Sequence, residues 1–263
     1  MQIRAFAVLL VTCQLLGVFF WAAPASAAQP IPILVYHRFA PAQPGLTTIT
    51  IPAFEQQLDW LDAHHYQVVP LQTVTAWLSG AGTAPSPQAV VITVDDGNVS
   101  VFTQLYPIVL RRHLHVTLFI YPSVISNASY ALTWEQLAEM QKSGLVDVQS
   151  HTYWHPNFRT ERAHRTPADY SAFVDFQLGH SKAVLEQKLG IKVTMLAWPY
   201  GIFDPQLEAA ARQAGYQYAF AFAGGVACSG GDLLAIPRIP VSGFMRADVF
   251  ASLMAQPCQD KSN

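Results

Sequence analysis

Six consecutive residues, Ala89-Val90-Val91-Ile92-Thr93-Val94, carry no charge and no break, and the run ends abruptly at Asp95-Asp96-Gly97. A β-rich stretch without polar alternation reads as a strand covered on both faces, as in a parallel sheet wrapped by helices. The rest of the chain supplies partners for it. Strand patterns recur at 31–36, 116–121, 146–149 and 193–198, with others at 68–69, 216–222 and 233–240. Between them, helical spacing predicts helices over 53–64, 71–78, 106–112, 168–189, 205–214 and 247–255. Thr133 with Gln136 forms a capping-box pattern that opens a further helix running to Lys142. The stretch 79–88, rich in Gly, Pro, Ala and Ser, reads as a loop and not as a domain boundary.

Strands alternating with helices predict a parallel α/β sheet. The polar clusters fall at the C-terminal ends of several successive strands, which is where a (β/α) barrel carries its chemistry. The strong strands number nearer seven than eight, so the expected fold is a distorted or incomplete (β/α) barrel of about seven strands. At 263 residues with 51% hydrophobic and 12% charged side chains, the chain can pack one barrel-sized core. A formal charge of −2 and the lack of any basic stripe argue against nucleic acid as a partner.

The first residues are read apart from the fold. Arg4, an apolar run over 5–23, Pro24 and the tripeptide Ala25-Ser26-Ala27 have the layout of a secretory signal peptide, residues 1–27, cut before Ala28. The protein is therefore expected to be exported, periplasmic or secreted, with 28–263 as its mature domain. The rival reading is an uncleaved membrane anchor, which Thr12 and Gln14 weaken. Of three cysteines, Cys13 lies in the leader, leaving Cys228 and Cys258. In an exported chain such a pair suggests a disulfide, with two separate buried thiols as the alternative.

Three strand ends carry candidate chemistry. Asp95 and Asp96 sit side by side where the long strand stops; adjacent carboxylates repel unless a cation or a proton separates their roles. The plain alternative is an Asp-Gly turn. Ser150-His151-Thr152-Tyr153-Trp154-His155 follows another strand, and two histidines four apart can face one way on a helical turn. Chance histidine pairs also occur in this chain, at His64-His65 and at His113 and His115, and the latter two, flanking a helix-to-strand join away from the strand tips, are read as structural. One carboxylate with two imidazoles makes three metal ligands and leaves a position for water, which the second carboxylate can deprotonate. That constellation hydrolyses amides or esters. In the third cluster, Trp198-Pro199-Tyr200-Gly201, a proline followed by an aromatic fixes the backbone so that the Tyr200 N–H faces a developing oxyanion. Trp198 offers a stacking face for a sugar, or simply fills the core.

These motifs, in this order and spacing, resemble the NodB-homology polysaccharide deacetylases, carbohydrate esterase family 4, over about 33–239. The family's fold is a distorted β/α barrel. The resemblance implies Asp95 as catalytic base and Asp96, His151 and His155 as ligands of one divalent ion. Zinc is the expected ion, with cobalt, nickel or iron(II) as alternatives. It further implies a Tyr200 N–H in the oxyanion hole, with Trp198 and Pro199 beside the substrate, and an acetylated polysaccharide or oligosaccharide as partner. Two family features are missing: Ala197 stands where many members carry arginine, and no Leu-x-His element follows Gly231. The run Pro32-Ile33-Leu34-Val35-Tyr36-His37 resembles the opening strand of the biofilm poly-N-acetylglucosamine branch, which makes His37 the expected general acid. Arg238, in Ile236-Pro237-Arg238-Ile239-Pro240, is the candidate to orient Asp95. The expected activity is removal of N-acetyl groups from a β-linked N-acetylglucosamine polymer. A catalytically silent glycan-binding protein and an O-acetyl esterase acting on xylan or another glycan are the alternatives.

Overall fold

A computed structural model describes residues 29–258. The leader expected at 1–27 lies outside the described residues. The elements in chain order are β1 (Ile33–Tyr36), β2 (Arg38–Ala40), β3 (Thr48–Thr50), α1 (Ile51–Ala63), β4 (Gln67–Val68), α2 (Leu71–Leu78) and β5 (Ala89–Asp95). There follow α3 (Tyr106–Arg112), β6 (Val116–Ile120), α4 (Trp134–Lys142), β7 (Val146–Ser150), α5 (Phe158–Ala163) and α6 (Pro167–Leu189). The chain closes with β8 (Met195–Ala197), α7 (Pro205–Gln213), β9 (Tyr218–Phe220), β10 (Ile239–Pro240) and α8 (Ala247–Met254).

Seven parallel strands run in the order β10-β1-β5-β6-β7-β8-β9, with β4 paired to the start of β5. They curl into a half-barrel with helices outside, the distorted and incomplete barrel expected from the strand count. The pleat divides the strand residues into two sets. Leu34, Ile92, Val94, Leu118 and Val148 pack outward in the main core with residues of the helices. Ile33, Val91, Phe119, Met195, Ala197 and Phe220 fill the interior in a second cluster. All seven residues of β5 are buried, as the unbroken apolar run requires.

The expected late strand over 233–240 is corrected. Only Ile239 and Pro240 form a strand, on β1, while Ile236 makes a single bridge to Phe220 of β9. Pro237 has no N–H to donate, and Arg238 turns its side chain fully inside. This split segment spans the gap between β9 and β1. The paired three-residue strands β2 and β3 and the six-residue α5 were not anticipated, because such short pieces show no measurable period. The capping box is present: the Gln136 N–H donates to Thr133 Oγ1 at 3.2 Å and the Thr133 N–H to Gln136 Oε1 at 2.9 Å. Cys228 and Cys258 are joined in a disulfide that ties the segment after β9 to the end of α8. Among the described residues no helix is long and apolar enough to cross a membrane.

Candidate active site

Asp95, the last residue of β5, has the same pleat parity as Val91 and Thr93, so its carboxylate enters the barrel interior. There Arg238 meets it through two parallel hydrogen bonds, Nη1 to Oδ1 at 2.8 Å and Nη2 to Oδ2 at 2.7 Å. The guanidinium also donates to Thr93 Oγ1 and to the Ala221 carbonyl, and it lies over the Phe119 ring. Both partners are almost wholly buried, at 0% and 2% exposure. Burial alone pushes the Asp95 carboxyl up, but Arg238, with His151 and His37, outweighs it and holds the group at about 2.

Asp96 leaves the sheet in a left-handed conformation, φ 77°, and Gly97 follows at φ 77°. The left-handed backbone is what calls for glycine here; a Cβ would also sit a tight 3.0 Å from the Ile120 Cδ1. The turn directs Asp96 away from Arg238 and toward the histidines. Its Oδ1 lies 3.6 Å from His151 Nε2 and 3.7 Å from His155 Nε2.

The histidines are not on a helical turn, which corrects the geometry expected from their spacing. They occupy an irregular loop after β7 in which Thr152 and His155 both have positive φ, 66° and 63°. His151 is buried and donates through Nδ1 to the Ala197 carbonyl at 2.8 Å, which leaves the Nε2 lone pair facing Asp96. Burial drives its basicity down to about 3, against the pull of Asp95. His155 is lowered for the same leading reason.

The donor set fits a metal ion. Asp96, His151 and His155 present one ligand atom each, all within 4.8 Å of one another. The oxygen-to-nitrogen separations are too long for hydrogen bonds. They are close to the roughly 3.4 Å edge of a tetrahedron around an ion with ~2.1 Å bonds. Lone pairs gathered at that spacing, without bonding one another, are what a cation would complete.

His37 follows β1, and its Nδ1 is buried with no hydrogen-bond partner. It is an electrostatic neighbour of both Asp95 and Asp96, and its ring meets Phe222 edge-on at 5.8 Å. Tyr200, φ 56°, projects from a short turn after β8 with 60% exposure, its ring 4.6 Å from that of His155. The Gly201 N–H is taken by Trp198 and the Ile202 N–H by Pro199, so Tyr200 occupies the turn position whose N–H the turn itself does not use. Trp198 and Pro199 are corrected. Trp198 is 0% exposed, donates Nε1–H to the Leu234 carbonyl and packs in the core, so it has no face for a sugar; Pro199 is buried beside it. Sequence reading missed Tyr121, whose ring is 5.5 Å from His155, and Phe222. Tyr121 directly follows β6, so the strand-end rule that found the aspartates would have found it too.

The family model for polysaccharide deacetylase matches residues 82–219, more than half of the chain, and the chain belongs to that family. The match includes Asp95, Asp96, His151, His155 and Tyr200 but neither His37 nor Arg238. Among the relatives, the putative polysaccharide deacetylase YxkH of Bacillus subtilis is 26% identical over 84% of this chain and 75% of its own. The poly-beta-1,6-N-acetyl-D-glucosamine N-deacetylase of Staphylococcus epidermidis is 24% identical over 80% and 72%. Among solved structures, IcaB from Ammonifex degensii superposes with a TM-score of 0.75 at 26% identity, covering 87% of this chain and 97% of its own. The Streptococcus pyogenes deacetylase PplD superposes at 0.77 with 22% identity, over 88% and 100%.

Proposed function

We propose that the protein is an exported, metal-dependent deacetylase that removes N-acetyl groups from a β-linked N-acetylglucosamine polysaccharide. The mature domain would be 28–263. The observation that carries the reading is a carboxylate held ionised by a buried arginine, next to three lone-pair donors that it does not join. A protein that only bound glycans would have no use for that fourth group. The names of the related N-deacetylases support an N-acetylated polymer as substrate.

Asp96, His151 and His155 would hold the ion, zinc for preference. When bound, a divalent cation supplies Lewis acidity toward water and toward the acetyl carbonyl. Asp95 takes the proton of the attacking water, and Arg238 keeps its carboxylate oriented and ionised before the reaction. The Tyr200 N–H donates to the carbonyl oxygen as it gains charge. His37 delivers a proton to the departing amine, which leaves only once protonated.

The test is acetate release from N-acetylglucosamine oligomers, with and without a chelator. Chelation should abolish release. Asp95→Asn should lower turnover by roughly 10²- to 10⁴-fold while metal content is retained, whereas His151→Ala loses both. Turnover unchanged in Asp95→Asn would sink the mechanism, and binding without release in the wild type would favour the silent reading. His37→Gln should harm N-acetyl substrates far more than an O-acetylated xylan, because an alkoxide needs the acid less. Equal losses would remove His37 from the amine side.

A further inference from the structure

The loop that carries both histidines is pinned to α6 by groups that no metal-site motif includes. α6 buries Tyr170, Phe173, Val174, Leu178 and Leu185 against the core, and on the same face it buries two polar residues, Gln177 and Ser181. Both are 0% exposed. They are four apart, one turn of helix, and so face the same loop. Gln177 Oε1 accepts the Trp154 N–H at 3.1 Å. Ser181 Oγ donates to the Thr152 carbonyl at 2.9 Å.

Behind them runs a chain of hydroxyls. The Tyr216 hydroxyl has two acceptors, Ser150 Oγ at 2.8 Å and the Leu178 carbonyl of α6 at 3.0 Å, and Ser150 lies 2.8 Å from Ser181 Oγ. Because Ser181 gives its single hydrogen to the Thr152 carbonyl, Ser150 is the donor to Ser181, and the Tyr216 hydroxyl, shared between Ser150 and the Leu178 carbonyl, backs the pair. Ser150 Oγ also accepts the Thr152 N–H at 3.2 Å, so both polar backbone groups of Thr152 are held from outside the loop.

Thr152 is where that hold is needed. A β-branched residue at φ 66° is strained, and surroundings must over-determine it for it to persist. Its Oγ1 in turn accepts the His155 N–H at 3.2 Å. The path from α6 therefore reaches the His155 backbone N–H through hydrogen bonds and His151 through its peptide link to Thr152, and the helix face places buried polar groups there where leucine would pack.

We propose that Ser181 and Gln177 of α6, backed by Tyr216, are positioning residues that preset His151 and His155 for the metal ion. The inference rests on the metal reading above and deepens it. Groups that hold metal ligands in place set metal affinity by roughly 10- to 100-fold, although they touch neither metal nor substrate.

The experiment titrates Co²⁺ into the metal-free full domain and follows visible absorption, alongside thermal melting of the metal-free protein. Ser181→Ala deletes one oxygen within a helix that tolerates alanine, so it should fold. Its Co²⁺ dissociation constant should rise roughly 10- to 100-fold, with an altered absorption band, and Ser181→Thr should restore both. Gln177→Met should weaken binding in the same direction. Tyr216→Phe, nearly isosteric, gives a second reading of the hydroxyl chain should Ser181→Ala fail to fold. Folded variants that bind Co²⁺ with wild-type affinity and spectrum, and differ only in melting temperature, would overturn the positioning role. A wild-type protein that takes up no Co²⁺ would overturn the metal reading and this inference together.

Discussion

The tips of β5 and β7 flank that of β6 and supply one site, yet they are held in place by opposite means. The β5 tip is secured from inside the barrel by charge: Asp95 against Arg238, both removed from water. The β7 tip is secured from outside by neutral groups, the hydroxyls of Ser150, Ser181 and Tyr216 and the amide of Gln177. The chemistry required of each tip explains the contrast. A carboxylate that must stay ionised profits from a buried cation, whereas imidazoles that must offer lone pairs are best kept neutral and dry.

The largest expected effect breaks the charged side. Arg238→Met leaves Asp95 buried without its partner, and loss of one member of a buried pair costs about 3–5 kcal/mol. Tyr216→Phe removes a neutral hydrogen bond from the other side and should cost about 1 kcal/mol. Urea denaturation of the two metal-free variants compares them directly. Equal costs would mean that the two tips are not held differently at all.

Acid should separate the tips by pH. Both groups have folded-state values below their ordinary ones: His151 falls from 6.5 to about 3 and Asp95 from 3.8 to about 2. For each, the unfolded chain binds the proton more readily, so its stability is present above the ordinary value and is lost as pH falls toward the folded one. The β7 tip therefore weakens first, from about pH 6.5 downward, with a slope approaching about 1.4 kcal/mol per pH unit. The Asp95 contribution persists until the pH drops below about 3.8 and is lost toward about 2. His151→Asn should remove much of the slope between pH 6 and 4 in the metal-free protein, leaving the part due to His155. A stability curve flat over that range in the wild type would contradict the buried neutral imidazole.

How much of this was legible in the sequence follows the same division. The unbroken run 89–94 and the Asp-Asp-Gly that ends it gave β5, its burial and its two carboxylates, because one strand and one turn fix them locally. The count of about seven strands also held, since each long strand carries its own pattern. The His151 and His155 pair was visible as a spacing, but its geometry was not: two left-handed residues between strand and α5 leave no periodic trace. Trp198 misled for a related reason. An aromatic in a motif shows its identity and not its side, and the pleat with the Leu234 carbonyl decides that it faces the core. Arg238 was readable only as a candidate, because its partner lies 143 residues away in the chain. Gln177 and Ser181 were invisible, being two ordinary polar residues in a long helix until the fold buries them.

The smallest expected effect sharpens the comparison within two adjacent residues. Asp95→Asn and Asp96→Asn make the same chemical change one residue apart. At Asp95 it strands the buried guanidinium and should cost about 3–5 kcal/mol. At Asp96 the side chain is 22% exposed and meets no cation directly, and burial with the neighbouring Asp95 already raises its carboxyl against the pull of His37. Asparagine tolerates the left-handed backbone that Asp96 adopts at φ 77°. The metal-free Asp96→Asn protein should thus stay within about 0.5 kcal/mol of wild type, or gain slightly from relieved repulsion, while its affinity for Co²⁺ collapses. Chemical denaturation paired with a Co²⁺ titration reads both at once. A large loss of stability in Asp96→Asn would place its carboxylate in the scaffold rather than in the site and erase the distinction between the two aspartates.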